Sequence, residues 1–520
     1  MSATAVLSML CALWAPPGFA ADGAPWFIGA QTTPAVQQAI DLLAAAPSHG
    51  LDPRDYSVEL LRSALAAADA GTGLDAAARE RIGAALTAGM ERYLSDLHRG
   101  RVDPRRIHHD FSPPARDSFA AATVLRDALQ QQRLAEAVRD SAPRLSQYQL
   151  LRDALARLRT LEGHTAWSQA LPPLPLDARR RTVPLEPGGL WAGLATLAQR
   201  LSAWGDLAAD VQAPTSYDGA LVDAVRAFQR RHALADDGVI GPATLAALQV
   251  TPAQRARQVV LSLERLRWTP LLQAPRMVVI NIPEFVLRAY EVRDGGIEVR
   301  QTMKVIVGKA MRTRTPLFDE AMRFIEFSPY WNVPDSIARG EIVPRLRRDP
   351  GYWHLEGFEF VDAAGRVSTV LDAAALDAVL AGRQRIRQRP GPRNALGDIK
   401  FVFPNREHIY LHHTPSVQLF ERERRDFSHG CIRVEQPAAL AGFVLQGMPQ
   451  WTEARVREAM QSGKSFTLRL AEPVPVLIAY ATALVREGRM HFYDDLYGLD
   501  RQLEGALRDA SRHARQTDRP

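Results

Sequence analysis

Cysteine is nearly absent. The chain has two in 520 residues, Cys11 and Cys431, so no disulfide framework can hold it together. Long apolar runs are also missing. The body of the chain has none of 18 or more residues, which excludes a spanning helix there. Neither HExxH nor CxxC occurs, so the usual short zinc signatures are lacking. Charge is not extreme: 64 Lys and Arg against 58 Asp and Glu leave +6, with a pI near 9.5. That balance suits a solubility charge and mild attraction to anionic surfaces; no nucleic-acid partner is expected. Hydrophobic content of 46% and charged content of 23% are ordinary for a globular protein. The length exceeds what one hydrophobic core supports, so several domains are expected.

The N-terminus departs from this pattern. "AVLSMLCALWA", residues 5–15, is an apolar stretch followed by "PPGFAADG". It has the length of a signal-peptide core and is too short to span a bilayer. Gly18 and Ala20 fit cleavage after Ala20, although no Lys or Arg precedes the apolar stretch. Residues 1–20 are therefore read as a signal peptide and the protein as periplasmic, with no stable membrane span after cleavage. Cys11 would leave with the signal. Cys431 would remain alone, as either a buried inert thiol or a reactive one.

Residues 30–190 read as helical. "PAVQQAIDLLAAA", "VELLRSALAAA" and "LRDALARLRTLEG" space apolar residues at helical intervals. His108 and His109 stand in a polar stretch and read as surface residues. "LPPLPLDARRRTVPLEPGG", residues 171–189, is Pro-rich and charged and reads as a linker or domain boundary. Residues 190–250 hold two helical runs around "ADDGVIGP". Asp237-Gly238 forms the turn, and Gly241-Pro242 opens the second helix. From about residue 275 the period changes. "RMVVINIPEFVLRAYEV" and "IEVRQTMKVIVG" flank the turn "RDGG", a hairpin signal. Strand-like text recurs at 322–334, "DIKFVF" and "EHIYLHH". Residues 335–395 interrupt it with a charged, Gly- and Pro-containing excursion, of the kind that forms lids and binding loops.

Cys431 sits in "FSHGCIRVEQP", residues 427–437. A cysteine nucleophile needs a base, something to orient that base, and donors for an oxyanion. His412, nineteen residues earlier on a predicted strand, and His429, two residues earlier, are the candidate bases. His412 is preferred because it approaches from another strand, oriented by a nearby backbone carbonyl. Gly430 permits close backbone approach, and the Cys431 amide can face the oxyanion. An imidazole beside the thiol is expected to lower its pKa.

His412, fifteen residues, then Ser428-His429-Gly430-Cys431 resembles the signature of the L,D-transpeptidases. "FSPYWNVPDSIAR", "RPGPRNALGDIKFVFPN" and "LHHTPSVQLF" support the likeness. Asp218-Gly219, Phe228-Gln229, Leu234, Asp237-Gly238, Gly241 and Leu245 resemble a small helical peptidoglycan-binding domain. The resemblance implies a multidomain α+β protein. It would comprise a helical scaffold at 21–189, a peptidoglycan-binding domain at 190–252, and a mostly β, sandwich-like catalytic domain at 275–500. Residues 335–395 would be an inserted lid-like subdomain and 501–520 a C-terminal tail. It further implies that Cys431 attacks the diaminopimelate–D-Ala bond of a tetrapeptide stem and releases D-Ala. An amine of a second stem would then resolve the thioester as a 3–3 cross-link, with peptidoglycan as partner and wall-synthesis enzymes as possible associates. His412 would be the general acid/base. Ser428, His429 and Gly430 would shape the site, Arg433 would contact a substrate carboxylate, and Tyr330 and Trp331 would wall the pocket. Arg433 stands where many members carry Asn, and His413 where Asp or Gly is expected.

Three other readings compete. His408, His412, His413, His429 and Cys431 offer zinc ligands, but His412 and His413 point to opposite faces of a strand; no metal or other cofactor is expected. An L,D-carboxypeptidase-type cysteine hydrolase would share the acyl-enzyme and use water as acceptor. A non-catalytic wall-binding scaffold would rely on 190–250 alone.

Overall fold

The structure, a computed structural model, describes residues 26–67, 74–108, 111, 118–209, 215–269, 271, 274–310 and 313–517. The signal-peptide segment 1–20, with Cys11, and His109 lie outside these residues. No helix among the described residues is long and apolar enough to cross a membrane.

The first helical unit is organised by the 24-residue helix Ala76–Arg99. The Asp75 carboxylate accepts from the Ala78 amide at 2.6 Å and caps its start. Leu86, Met90, Leu94 and Leu97 recur along one face and are fully buried. They pack against helix Pro34–Ala44 and the pair at 121–141. This core ends at Val138. From Leu145 onward the chain joins a second core built around helices Leu194–Trp204 and Gly219–Arg231. The predicted linker 171–189 is part of it: Leu171, Leu174 and Leu185 are buried, and Leu185 exchanges both backbone hydrogen bonds with Ile240 at 3.1 and 3.0 Å. Its prolines suit an extended segment, but three of its leucines turn inward while Leu176 stays exposed.

Helix Pro252–Leu266 joins these helical units to the β domain. It opens on a capping box between Thr251 and Gln254. Two of its buried charges are paired, Glu264 with Arg267 just past the helix at 2.7 Å and Arg265 with Asp500 at 2.5 Å. Asp500 introduces a correction. Residues 501–517 are not a free tail. Leu499–Thr517 is a helix whose Leu503 and Leu507 are buried in the β-domain core. The hairpin Ala483–Arg486/Arg489–Phe492 also crosses a predicted boundary: it packs into the second helical core, where Phe492 stacks on His232.

The β domain is mostly strand, as expected. Eight strands run Gly296–Gly308, Ile432–Val434, Leu411–His412, Ile399–Val402, Phe318–Phe327, Phe466–Ala479, Arg276–Asn281 and Val286–Arg293. The last pairs back to the first, and Asp426–Ser428 adds a spur. The layers of this sheet are therefore joined through hydrogen-bonded strands. Its interior is a single apolar core including Val305, Ile325, Phe327, Phe401 and Ile432.

The insertion is more than a charged loop excursion. Trp331–Asn332, Gln384–Gln388, Phe358–Asp362 and Val367–Ser368 form a four-stranded sheet. Helices from Asp335 to Glu356 and Ala373–Leu380 cover it. Trp353, Phe358, Phe360 and Ile386 form a separate core, so the insertion is a body of its own.

Candidate active site

Two short strands meet at the site. Leu411–His412 runs parallel to Ile432–Val434, with His412 opposite Arg433. Cys431 immediately precedes the second of these strands. The Ile432 amide donates to the Tyr410 carbonyl at 3.1 Å, which brings Tyr410 beside the cysteine.

The turn before Cys431 depends on glycine. Gly430 has φ +118, a conformation L side chains rarely adopt. The Ser428 hydroxyl accepts from the Gly430 amide at 3.1 Å and donates to the Cys431 carbonyl at 2.5 Å. Thr315 donates to the Gly430 carbonyl at 2.7 Å. Ser428 and Gly430 thus build the turn that presents the thiol.

His412 is buried. Its Nδ1 lies 2.5 Å from the His413 carbonyl. A carbonyl only accepts, so Nδ1 carries the hydrogen and Nε2 keeps its lone pair. Burial, assisted by the Arg433 charge, lowers the His412 pKa to about 3 and keeps the ring neutral. The Cys431 thiol, half-buried, is pushed up by burial, and hydrogen bonds from Tyr410 and the charges of Lys400 and Arg433 act against that rise. This corrects the expectation of a lowered thiol pKa: removal from water outweighs the neighbouring donors and charges. The resting pair is a thiol and a neutral imidazole.

Tyr410, Lys400 and Glu341 escaped the sequence reading. Tyr410 opposes the rise of the Cys431 thiol pKa, the thiol itself donates to the His408 carbonyl at 3.8 Å, and Lys400 Nζ lies 4.4 Å from the Tyr410 ring centre while paired to Glu326 at 3.1 Å. Tyr410 stands two residues before His412, so strand alternation placed it on the same face. His429 turns away toward Glu341 of the insertion, 2.7 Å from its Nε2. His413 lies 3.3 Å from Asp398. The imidazoles of residues 412, 413 and 429 therefore face three different partners.

Among the described residues, the buried Nε of Arg433 has no hydrogen-bond partner. Tyr330 and Trp331 lie at the edge of the insertion. The Arg387 guanidinium covers Tyr330 at 4.2 Å, and Trp331 packs on the insertion's core. Among the described residues, no ring contact or hydrogen bond ties either to Cys431 or His412.

Comparison with known proteins follows these divisions. Residues 20–155 match a family described as "Scaffold domain", and residues 192–248 one described as "Putative peptidoglycan binding domain". Residues 275–455 match the L,D-transpeptidase catalytic domain. The domain around Cys431 is thus similar to the catalytic domain of the L,D-transpeptidases. A protein of Haemophilus influenzae named "Putative L,D-transpeptidase" is 32% identical over 250 residues, which cover 48% of this chain and 49% of the relative. The chain thus spans about half the length of that relative. Among solved structures, an L,D-transpeptidase fragment from Xylanimonas cellulosilytica is 19% identical, with a TM-score of 0.17, covering 59% of this chain and all of that one. A Clostridium acetobutylicum protein, named as a fused Zn-dependent amidase/peptidase/peptidoglycan-binding domain-containing protein, is 12% identical at the same TM-score, covering 57% of this chain and all of its own.

Proposed function

We propose that this L,D-transpeptidase-family protein cross-links peptidoglycan stems in the periplasm, with Cys431 as nucleophile and His412 as general acid/base. The observation that carries this reading is the pairing of two strands, one following the partly exposed Cys431 and the other carrying His412, whose neutral ring has its Nδ1 held by a carbonyl. When a donor carbonyl binds, the Cys431 proton moves to His412 Nε2 as sulfur attacks, and His412 then protonates the departing D-Ala amine. A thiol with a raised pKa suits this concerted transfer, because little thiolate stands free to react elsewhere. The Cys431 amide and the Tyr410 hydroxyl are the donors nearest the developing oxyanion. Arg433, its buried Nε unpaired, is suited to a substrate carboxylate. The unit at 192–248 supports peptidoglycan as the polymer engaged.

The test is incubation of the protein with disaccharide-tetrapeptide, followed by mass spectrometry. D-Ala loss with a dimer joined through two diaminopimelate residues is expected, and Cys431→Ala should form none. Tripeptide without dimer would identify a hydrolase, and no change of substrate a wall-binding scaffold.

A further inference from the structure

The loop that carries the nucleophile has a second imidazole, and its partner comes from far away in the chain. His429 Nε2 lies 2.7 Å from Glu341 Oε1, 88 residues earlier and inside the insertion. Glu341 stands on the π-helical turn Ala338–Ile342. Such a turn accommodates an extra residue and recurs at functional positions. Ala338 and Ile342 anchor it in the insertion's core, leaving the Glu341 side chain 55% exposed and that of His429 32% exposed. The pair therefore faces water beside the Cys431 loop. The charged groups acting on the thiol itself, Lys400 and Arg433, are both cationic.

We propose that Glu341 and His429 form the binding site for the acceptor amine. This deepens the transpeptidase reading and rests on it. An alkyl amine has a pKa of about 10, so the acceptor arrives as an ammonium ion. Lys400 and Arg433 repel it, while the Glu341 carboxylate draws it toward the loop. One proton passes from the ammonium to the Glu341–His429 pair and on to water. The neutral nitrogen then attacks the thioester carbon. The C–N bond forms, the C–S bond breaks, and the second nitrogen proton reaches the Cys431 sulfur through His412. The products are an amide, a thiol and one released proton. The site thus has a cationic donor side at Arg433 and an acidic acceptor side at Glu341.

The experiment uses the full chain, disaccharide-tetrapeptide as donor and an isotope-labelled tripeptide stem as acceptor. Initial D-Ala release reads acylation, and the ratio of labelled dimer to hydrolysed tripeptide reads transfer. Glu341→Gln keeps the side chain's shape and removes its charge. D-Ala release should stay within about twofold, the acceptor KM should rise about tenfold, and hydrolysis should take a larger share. Glu341→Asp should recover part of the acceptor affinity. An unchanged acceptor KM refutes the proposal. So does a Glu341→Gln protein that loses acylation and transfer equally, since Glu341 would then only hold the insertion in place. No D-Ala release from the unmodified protein overturns the transpeptidase reading, and this inference with it.

Discussion

Tyr410→Phe isolates one contact to the nucleophile. The substitution removes a single oxygen and keeps the ring that lies 5.6 Å from His412. The Tyr410 hydroxyl acts as a hydrogen-bond donor toward the Cys431 thiolate and so opposes the upward push of burial on the thiol. A hydrogen bond to a charged group contributes about 1.5–3 kcal/mol. Cys431 is partly exposed, so water replaces some of that and the lower end applies. One pKa unit corresponds to about 1.4 kcal/mol. The variant should therefore titrate about one unit higher than the unmodified protein. The direction is fixed by the charge state: the donor favours thiolate, so its loss favours thiol and moves the reactive limb to higher pH. At neutral pH the alkylation rate should fall about tenfold, while the high-pH plateau stays unchanged. Iodoacetamide modification followed by intact mass across a pH series measures both. An unmoved midpoint, or one shifted to lower pH, would refute the reasoning, because the hydroxyl would then not be donating to the thiolate.

His412→Ala should abolish turnover and slow acylation by about 10²–10⁴, the usual loss on removing a general acid/base; acylation within tenfold of normal would point to another base. NMR titration of His412 should show a neutral ring down to about pH 5, since burial holds its pKa near 3. Below about pH 6.5 the unfolded state then binds the proton that the folded state refuses, so this residue's contribution to stability falls as pH drops. A carbapenem should form a mass adduct on the native protein and none on Cys431→Ala; equal adducts on both would exclude Cys431 as the nucleophile. Removing residues 499–517 strips Leu503 and Leu507 from the core and unpairs Arg265 from Asp500. The two leucines alone contribute roughly 3–6 kcal/mol, so the Tm should fall by about 5 °C or more by calorimetry, and an unchanged Tm would show the helix to be dispensable.

The sequence by itself identified Cys431, His412 and the Ser428–Gly430 turn, because these belong to short segments whose residue types must stand at set separations. It also marked the change from helical to strand period near residue 275, which depends only on how side chains alternate. Domain limits were less legible. Leu171, Leu174 and Leu185 lie in proline-rich text yet belong to a core with Ile240, and nothing local in such text names the surface that will cover it. Residues 501–520 read as a tail, and only the β-domain core and Arg265 explain why a helix carrying Leu503 and Leu507 is held there. Tertiary structure alone decided the protonation states. Burial of the Cys431–His412 pair raised one pKa and lowered the other, and no spacing along a chain reports how much water remains. It alone brought Glu341 to His429 as well: a glutamate on an Arg-rich insertion has no local signature, and the contact exists because two separately packed bodies meet above the nucleophile.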